Sequence, residues 1–176
     1  MYERIIASRS QGRASPLPLV DSDGALLGPF NAMVAAPHVG GPLADLGASL
    51  RYQGHLTARA RELSILTVAA RCASNFEWQS HHGIARNLGI TEDVLDEIRI
   101  GALPDALTNP VERAVVASTT NLLAGSELDD AEYAGLVELI AEDGLIELVV
   151  LVGYYELLAR LLRVFRVPAD SPPTSG

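Results

Sequence analysis

The chain is 176 residues long, 48% hydrophobic and 20% charged, with 13 basic against 22 acidic side chains and a formal net charge of -9. That length and apolar fraction support one folded domain with a sizeable core rather than two, and the acidic balance repels nucleic-acid backbones and anionic membrane surfaces at long range. Every basic residue is an arginine and Cys72 is the single cysteine, which excludes lysine Schiff-base and P-loop chemistry and any internal disulfide, and fits a reducing, cytoplasmic setting.

The first fifteen residues carry Glu3, Arg4, Arg9 and Arg13 around a short apolar step, Ile5-Ile6, so no export signal is expected. Ser8 to Gly28 contains Pro16, Pro18 and several serines and glycines. Residues 1–28 therefore read as an arm lying on the body or on a partner. From residue 29 to 167 apolar residues recur at helical spacing, predicting an all-α domain. Short helices are expected at Pro29 to Ala35 and Pro42 to Gln53, the second with Pro42 in its first turn. Thr57 caps a helix over Ala58 to Arg71, with Leu63, Leu66, Ala69 and Ala70 as its buried stripe. After a tight connection, Ser74-Asn75-Phe76-Glu77 has the form of a capping box opening a helix to Leu88, stopped by Gly89. Thr91 caps a helix to about Ile100, Asn109-Pro110 opens one to Leu123, and Asp129 opens one to about Ala141. Asp143-Gly144 is read as a break before a last helix, Leu145 to Val167, and residues 168–176 as a disordered tail.

That last helix is apolar on nearly every side, yet its strongest run, Leu148 to Tyr155, is bounded by Glu147 and Glu156 and is far short of the roughly 20 residues that cross a bilayer. No membrane span is expected. A domain of this size cannot enclose such a helix alone, so a homo-oligomer is predicted. The run from Arg61 to Ala69 also echoes Ile146 to Gly153, compatible with duplication of a helical hairpin.

One segment concentrates reactive groups: Arg61-Glu62, then Ser74, Glu77, Trp78, His81 and His82. Folded as an antiparallel hairpin turning near Ala73, the two helices bring Leu66 level with His81, and Glu62 lies about 6 Å further along the axis. Glu77, at i−4, shares the face of His81. An imidazole between two carboxylates suits proton transfer, and burial favours one glutamate as donor. Trp78 could wall a planar ligand, while His82 points about 100° away. The structural readings are a capping role for Ser74 and Glu77, and an ion pair from Glu62 to Arg71 or Arg86.

Other chemistries fit less well. Glu-x-x-x-His could supply two metal ligands, but helical carboxylate sites use Glu-x-x-His and no duplicate set exists, so no metal is expected. No nucleophile-elbow serine motif or glycine-rich phosphate loop is present. Cys72 reads mainly as a small buried hydrophobe.

The run Ala60-Arg61-Glu62-Leu63-Ser64-Ile65-Leu66-Thr67-Val68-Ala69-Ala70-Arg71, with Phe76-Glu77-Trp78-Gln79-Ser80-His81 and Ala85-Arg86-Asn87-Leu88-Gly89-Ile90, resembles the carboxymuconolactone decarboxylase family, whose superfamily includes the AhpD-like alkylhydroperoxidases. The resemblance extends over about residues 30 to 167 and takes in Gly153-Tyr154-Tyr155. In the peroxidase branch a glutamate precedes Cys-x-x-Cys and a histidine; Glu62 and His81 match, but Ser74 and Glu77 stand at the cysteine positions. The resemblance implies an all-α, cofactor-free trimer, hexamer or related ring acting on a small-molecule substrate. It implies loss of a carboxylate from an unsaturated lactone acid, with His81 passing a proton, Glu62 orienting it, Glu77 assisting, and Arg61 or Arg71 holding the substrate anion. Glu156 replaces a neutral polar residue common among relatives, which bears on the substrate. Two competing expectations are a thiol-based hydroperoxide reductase and an oligomeric binding protein without catalysis.

Overall fold

A computed structural model describes residues 2, 3, 5, 6, 20, 22–24 and 26–168. Most of the expected arm and the expected tail, residues 169–176, lie outside the described residues. From residue 30 the helices among the described residues are α1 (Phe30–Ala35), α2 (Pro37–Tyr52), α3 (Ala58–Arg71), α4 (Asn75–Asn87), α5 (Glu92–Arg99), α6 (Pro110–Leu123) and α7 (Asp130–Val164). The fold is all-α, as the spacing predicts. Among the described residues the only β pairing is an isolated bridge, Val20 to Leu26. Among the described residues no helix is long and apolar enough to cross a membrane.

The centre of the molecule is α3, which packs against α4, α5, α6 and α7. Ala60, Ile65 and Val68 face one apolar cluster with Leu148, Leu151 and Leu158 of α7, which also takes in Ile5 and Leu26 from the amino-terminal segment. Leu63, Leu66 and Ala69 face a second cluster with Trp78, Ala85, Leu95, Ile98 and Val116. The sequence pattern anticipates only the second face. Polar residues do not mark a solvent side here, because they are bonded inside: Ser64 Oγ meets Thr119 Oγ1 at 2.8 Å and Thr67 Oγ1 donates to the Leu63 carbonyl at 2.8 Å. Buried polar groups with partners carry little desolvation penalty.

Several boundaries follow local chemistry as expected. The Thr57 hydroxyl accepts from Ala60 N, Asn109 Oδ1 accepts from Val111 and Glu112 N, and Asp129 and Glu132 form a full capping box. Gly89 stops α4 with φ of 81°, and Ile90 N reaches back to the Ala85 carbonyl, the closure that requires a left-handed residue.

Others differ. Helix α2 starts at Pro37 and runs through Pro42 rather than beginning there. The glycines before Pro42 serve contact instead of a turn: a Cβ on Gly40 would lie 2.1 Å from the Met33 carbonyl oxygen of α1. Pro42 is exposed, so the His38 carbonyl left without its amide partner can bond water. The break in α7 falls at Ala141 (φ 60°, ψ 171°), and Asp143 and Gly144 already belong to the following helical segment. That segment ends at Val164, short of Val167, because Arg166 turns left-handed and Val167 N closes onto the Leu162 carbonyl.

The second segment of α7 is enclosed on one side only. Leu145, Leu148, Leu151, Val152, Tyr155 and Leu158 are buried, while Ile146, Val149, Val150 and Leu157 remain exposed on the other face. Glu147 is buried and its Oε2 accepts from the backbone N–H groups of His55 and Leu56, strapping the loop before α3 to α7. The conformation of Ala141 is one that only glycine adopts without strain, a cost of about 1–3 kcal/mol. Ala141→Gly is therefore expected to raise stability by about 1 kcal/mol in urea denaturation; a loss of stability would show that the break is held by the alanine methyl.

Candidate active site

The site is built on the tight connection between α3 and α4. Ala73 takes φ of 52° and Ser74 N donates to the Ala69 carbonyl at 2.8 Å, closing α3. This corrects the capping-box expectation. The Ser74 amide is already committed to α3, so the Glu77 carboxylate has no donor to return to, and the Ser74 hydroxyl bonds no backbone amide of α4. Glu77 instead points inward, 3% exposed, with neither carboxylate oxygen hydrogen-bonded. Burial pushes its carboxyl up to about 8, with only the nearby Ser74 hydroxyl acting the other way.

One turn further along α4 is His81, and its Nδ1 lies 2.6 Å from Glu62 Oε2 of α3. That contact is one that counting residues away from the turn allows. Both groups are buried, Glu62 at 2% and His81 at 5% exposure. Burial alone would raise the Glu62 carboxyl, but His81, then Arg51 and Arg61, outweigh it and the net shift is downward. The two glutamates thus sit on opposite sides of neutrality: Glu62 ionised and bonded, Glu77 protonated and without a bond. His81 accordingly has one carboxylate partner on the facing helix, rather than being clasped by two.

Two further residues complete the surroundings. The Tyr155 ring of α7 meets the His81 imidazole edge-on, with centroids 5.3 Å apart, and Arg51 Nη2 of α2 donates to the Tyr155 hydroxyl at 3.4 Å. Residue spacing gives no pointer to Arg51. Tyr155 lies in the Gly153-Tyr154-Tyr155 stretch of the family resemblance, the one signal that marked it.

The remaining sequence candidates divide. Arg61 stays near, acting on the Glu62 charge, with its buried Nε unbonded. Ser74 borders a cavity of about 190 Å³ together with Cys72, Phe76 and Arg163. Trp78 belongs to the second apolar cluster, with Arg99 over its ring at 4.7 Å. Arg71 is exposed and borders a different cavity. Neither Arg71 nor Arg86 pairs with Glu62; Arg86 pairs with Glu92 at 2.9 Å, as His82 does at 3.0 Å. A half-buried bidentate pair that spacing did not reveal, Arg59 to Glu112 at 2.7 and 3.1 Å, fixes α3 to α6. Among the described residues no group of three or more His, Cys, Asp or Glu is arranged to hold a metal ion.

Known proteins are similar to this chain in sequence family and in fold. Residues 37–120 match the model of the carboxymuconolactone decarboxylase family. No curated protein matches the sequence significantly. In structure, the chain is similar to the debrominase Bmp8 in its apo form, with a TM-score of 0.73 at 15% identity over 97% of this chain and 86% of that one. A cysteine-to-alanine variant of Bmp8 in complex with 2,3,4-tribromopyrrole aligns with a TM-score of 0.69 at 15% identity over 90% and 95% of the two chains. A protein of unknown function from Agrobacterium tumefaciens, named as an AhpD candidate in antioxidant defence, aligns with a TM-score of 0.70 at 17% identity over 82% and 99%. The family match thus takes in the α3 and α4 helices that carry Glu62 and His81, and the likeness to the solved structures is one of fold.

Proposed function

We propose that the protein is a cofactor-independent lyase that removes a carboxylate from a small lactone acid or related unsaturated acid, using a Glu62–His81 proton relay. The observation that carries this reading is the divergence of two buried carboxyls around one imidazole. Environments that drive like groups to opposite protonation states separate acid from base. Glu62, ionised, accepts from His81 Nδ1–H and fixes that tautomer, assigning proton exchange to Nε2. Glu77, protonated near neutrality, serves as the proton reserve one turn away. In the reaction the bond to the carboxylate carbon breaks, carbon dioxide leaves, the electron pair enters a dienolate, and a proton delivered through His81 restores the carbon acid. Arg61, with an unbonded buried Nε, is the candidate for holding the substrate anion.

Thiol chemistry has less support. Cys72 is the single cysteine, and burial, followed by Glu156 and Glu77, pushes its thiol up, away from the reactive thiolate. The likeness to the debrominase Bmp8 is one of fold and adds no support for thiol chemistry here. A second reading, an oligomeric binding protein without catalysis, draws on the low exposure of Glu62 and His81 and their mutual bond. We further propose a homo-oligomer, a trimer or hexamer, assembled on the exposed apolar face of α7.

Three outcomes are expected. Screened against carboxylated unsaturated lactones, the wild type releases carbon dioxide, and His81→Gln, which keeps a polar partner for Glu62, lowers kcat by about 100-fold or more while thermal stability holds; undiminished turnover would refute the relay, and no turnover on any acid favours the binding reading. Between the ordinary Glu value of 4.5 and about 8, folded Glu77 holds a proton that the unfolded chain has released, so this group makes stability fall as pH rises. The urea midpoint should decline from pH 5 to pH 8, and Glu77→Gln should flatten that decline and exceed wild type at pH 8; a variant weaker than wild type at pH 8 would contradict the assignment. Glu62, shifted down, contributes the opposite sign, its stabilisation being lost only in acid. Finally, light scattering should give a multiple of the 18.7 kDa chain mass, reduced by Val149→Glu, whereas a monomeric wild type would rule the assembly out.

A further inference from the structure

Away from the Glu62–His81 pair, the ends of α3 and α5 and the last turns of α7 surround an open cavity of about 590 Å³. Four arginines border it, Arg71, Arg99, Arg160 and Arg163, against one carboxylate, Glu156, with Cys72 on the wall. The chain as a whole has 13 arginines and a net charge of -9. Nearly a third of its positive charge thus surrounds one hollow.

The partners of these arginines leave most of that charge unanswered. Arg160 pairs with Glu156 at 2.5 Å, and Arg163 donates to the Cys72 carbonyl at 3.1 Å. Arg99 lies over the Trp78 ring. Arg71 and Arg99 form no ion pair among the described residues, and Arg71 Nη1 is set against Gly101, 3.4 Å from where a Cβ would stand. Like charges drawn together around one hollow repel one another and sum to a positive potential there, which attracts anions. The planar guanidinium fork matches carboxylate oxygens two at a time. The volume lies within the range of about 300–1,000 Å³ typical of organic-ligand sites and is far larger than an inorganic oxyanion needs.

We propose that this cavity binds a small organic acid carrying two or three carboxylates. The site is distinct from the proton relay, since neither Glu62 nor His81 borders it, and the two assignments stand or fall separately. Cys72 serves as wall rather than nucleophile, because burial and then Glu156 hold its thiol protonated.

Trp78 is the only tryptophan, and the arginine on its ring makes it a built-in reporter. Citrate, added to the full-length chain at constant ionic strength, should give a saturable change in tryptophan fluorescence, with half-saturation about tenfold or more below that of acetate or inorganic phosphate. Arg71→Gln and Arg163→Gln, each confirmed as folded by thermal unfolding, should raise the citrate half-saturation about tenfold. Arg113→Gln, whose guanidinium donates to the Pro104 carbonyl elsewhere, should leave it unchanged. Calorimetric titration provides the same comparison without the fluorophore. A response that follows ionic strength alone, or that survives Arg71→Gln intact, would overturn the site, and phosphate binding as tight as citrate would overturn the polycarboxylate assignment.

Discussion

Enclosure of the middle of α3, residues 62–69, is the constraint from which the remaining features of the site follow. Between residues 62 and 69, where every position is buried between two apolar clusters, the helix has no solvent-facing edge on which to place a charge. Glu62 sits in that helix nonetheless, and an unpaired carboxylate there would cost several kcal/mol. Its charge is answered from three directions: His81 on α4, Arg51 on α2 and the neighbouring Arg61. The pairing with His81 sets the register of the α3–α4 hairpin, and the Tyr155 ring and Arg51 tie the same point to α7 and α2. Glu147 plays a comparable part at the other end of the molecule, where its buried carboxylate holds the loop that leads into α3.

Glu77 shows the other way a buried carboxyl can exist. It receives no charge partner and no hydrogen bond, so it is stable there only as the neutral acid. The cause is local: Ser74 N–H closes α3, and the geometry that would have made Glu77 an ordinary cap is spent before α4 begins. The same three-residue connection that fixes the hairpin thus also produces the protonated carboxyl beside the imidazole.

This explains what could be read from residues alone. The Glu62–His81 contact was legible because a short turn and the helical rise fix distance by counting. Thr57, Asn109, Asp129 and Gly89 were legible because their caps are local. Ser74 misled because a capping box and a helix closure compete for one amide, and only the folded turn decides between them. Pro42 and Gly40 misled because close crossing of α1 on α2, a tertiary fact, overrode the usual reading of glycine and proline as a boundary. Arg51, Arg59 and Glu112 lie far apart in sequence or on unremarked faces, and no spacing rule joins them. The all-round burial of the middle of α3 was hidden by its serine, threonine and glutamate, which are polar yet bonded inside.

The account depends most on two neighbouring carboxyls holding different protonation states at one pH. Difference infrared spectroscopy of wild type against Glu77→Gln at pH 7 measures the Glu77 state directly. The account predicts a protonated-carboxyl C=O band present only in the wild type, fading as pH passes about 8. A Glu77 that appears as carboxylate at pH 7 would contradict it.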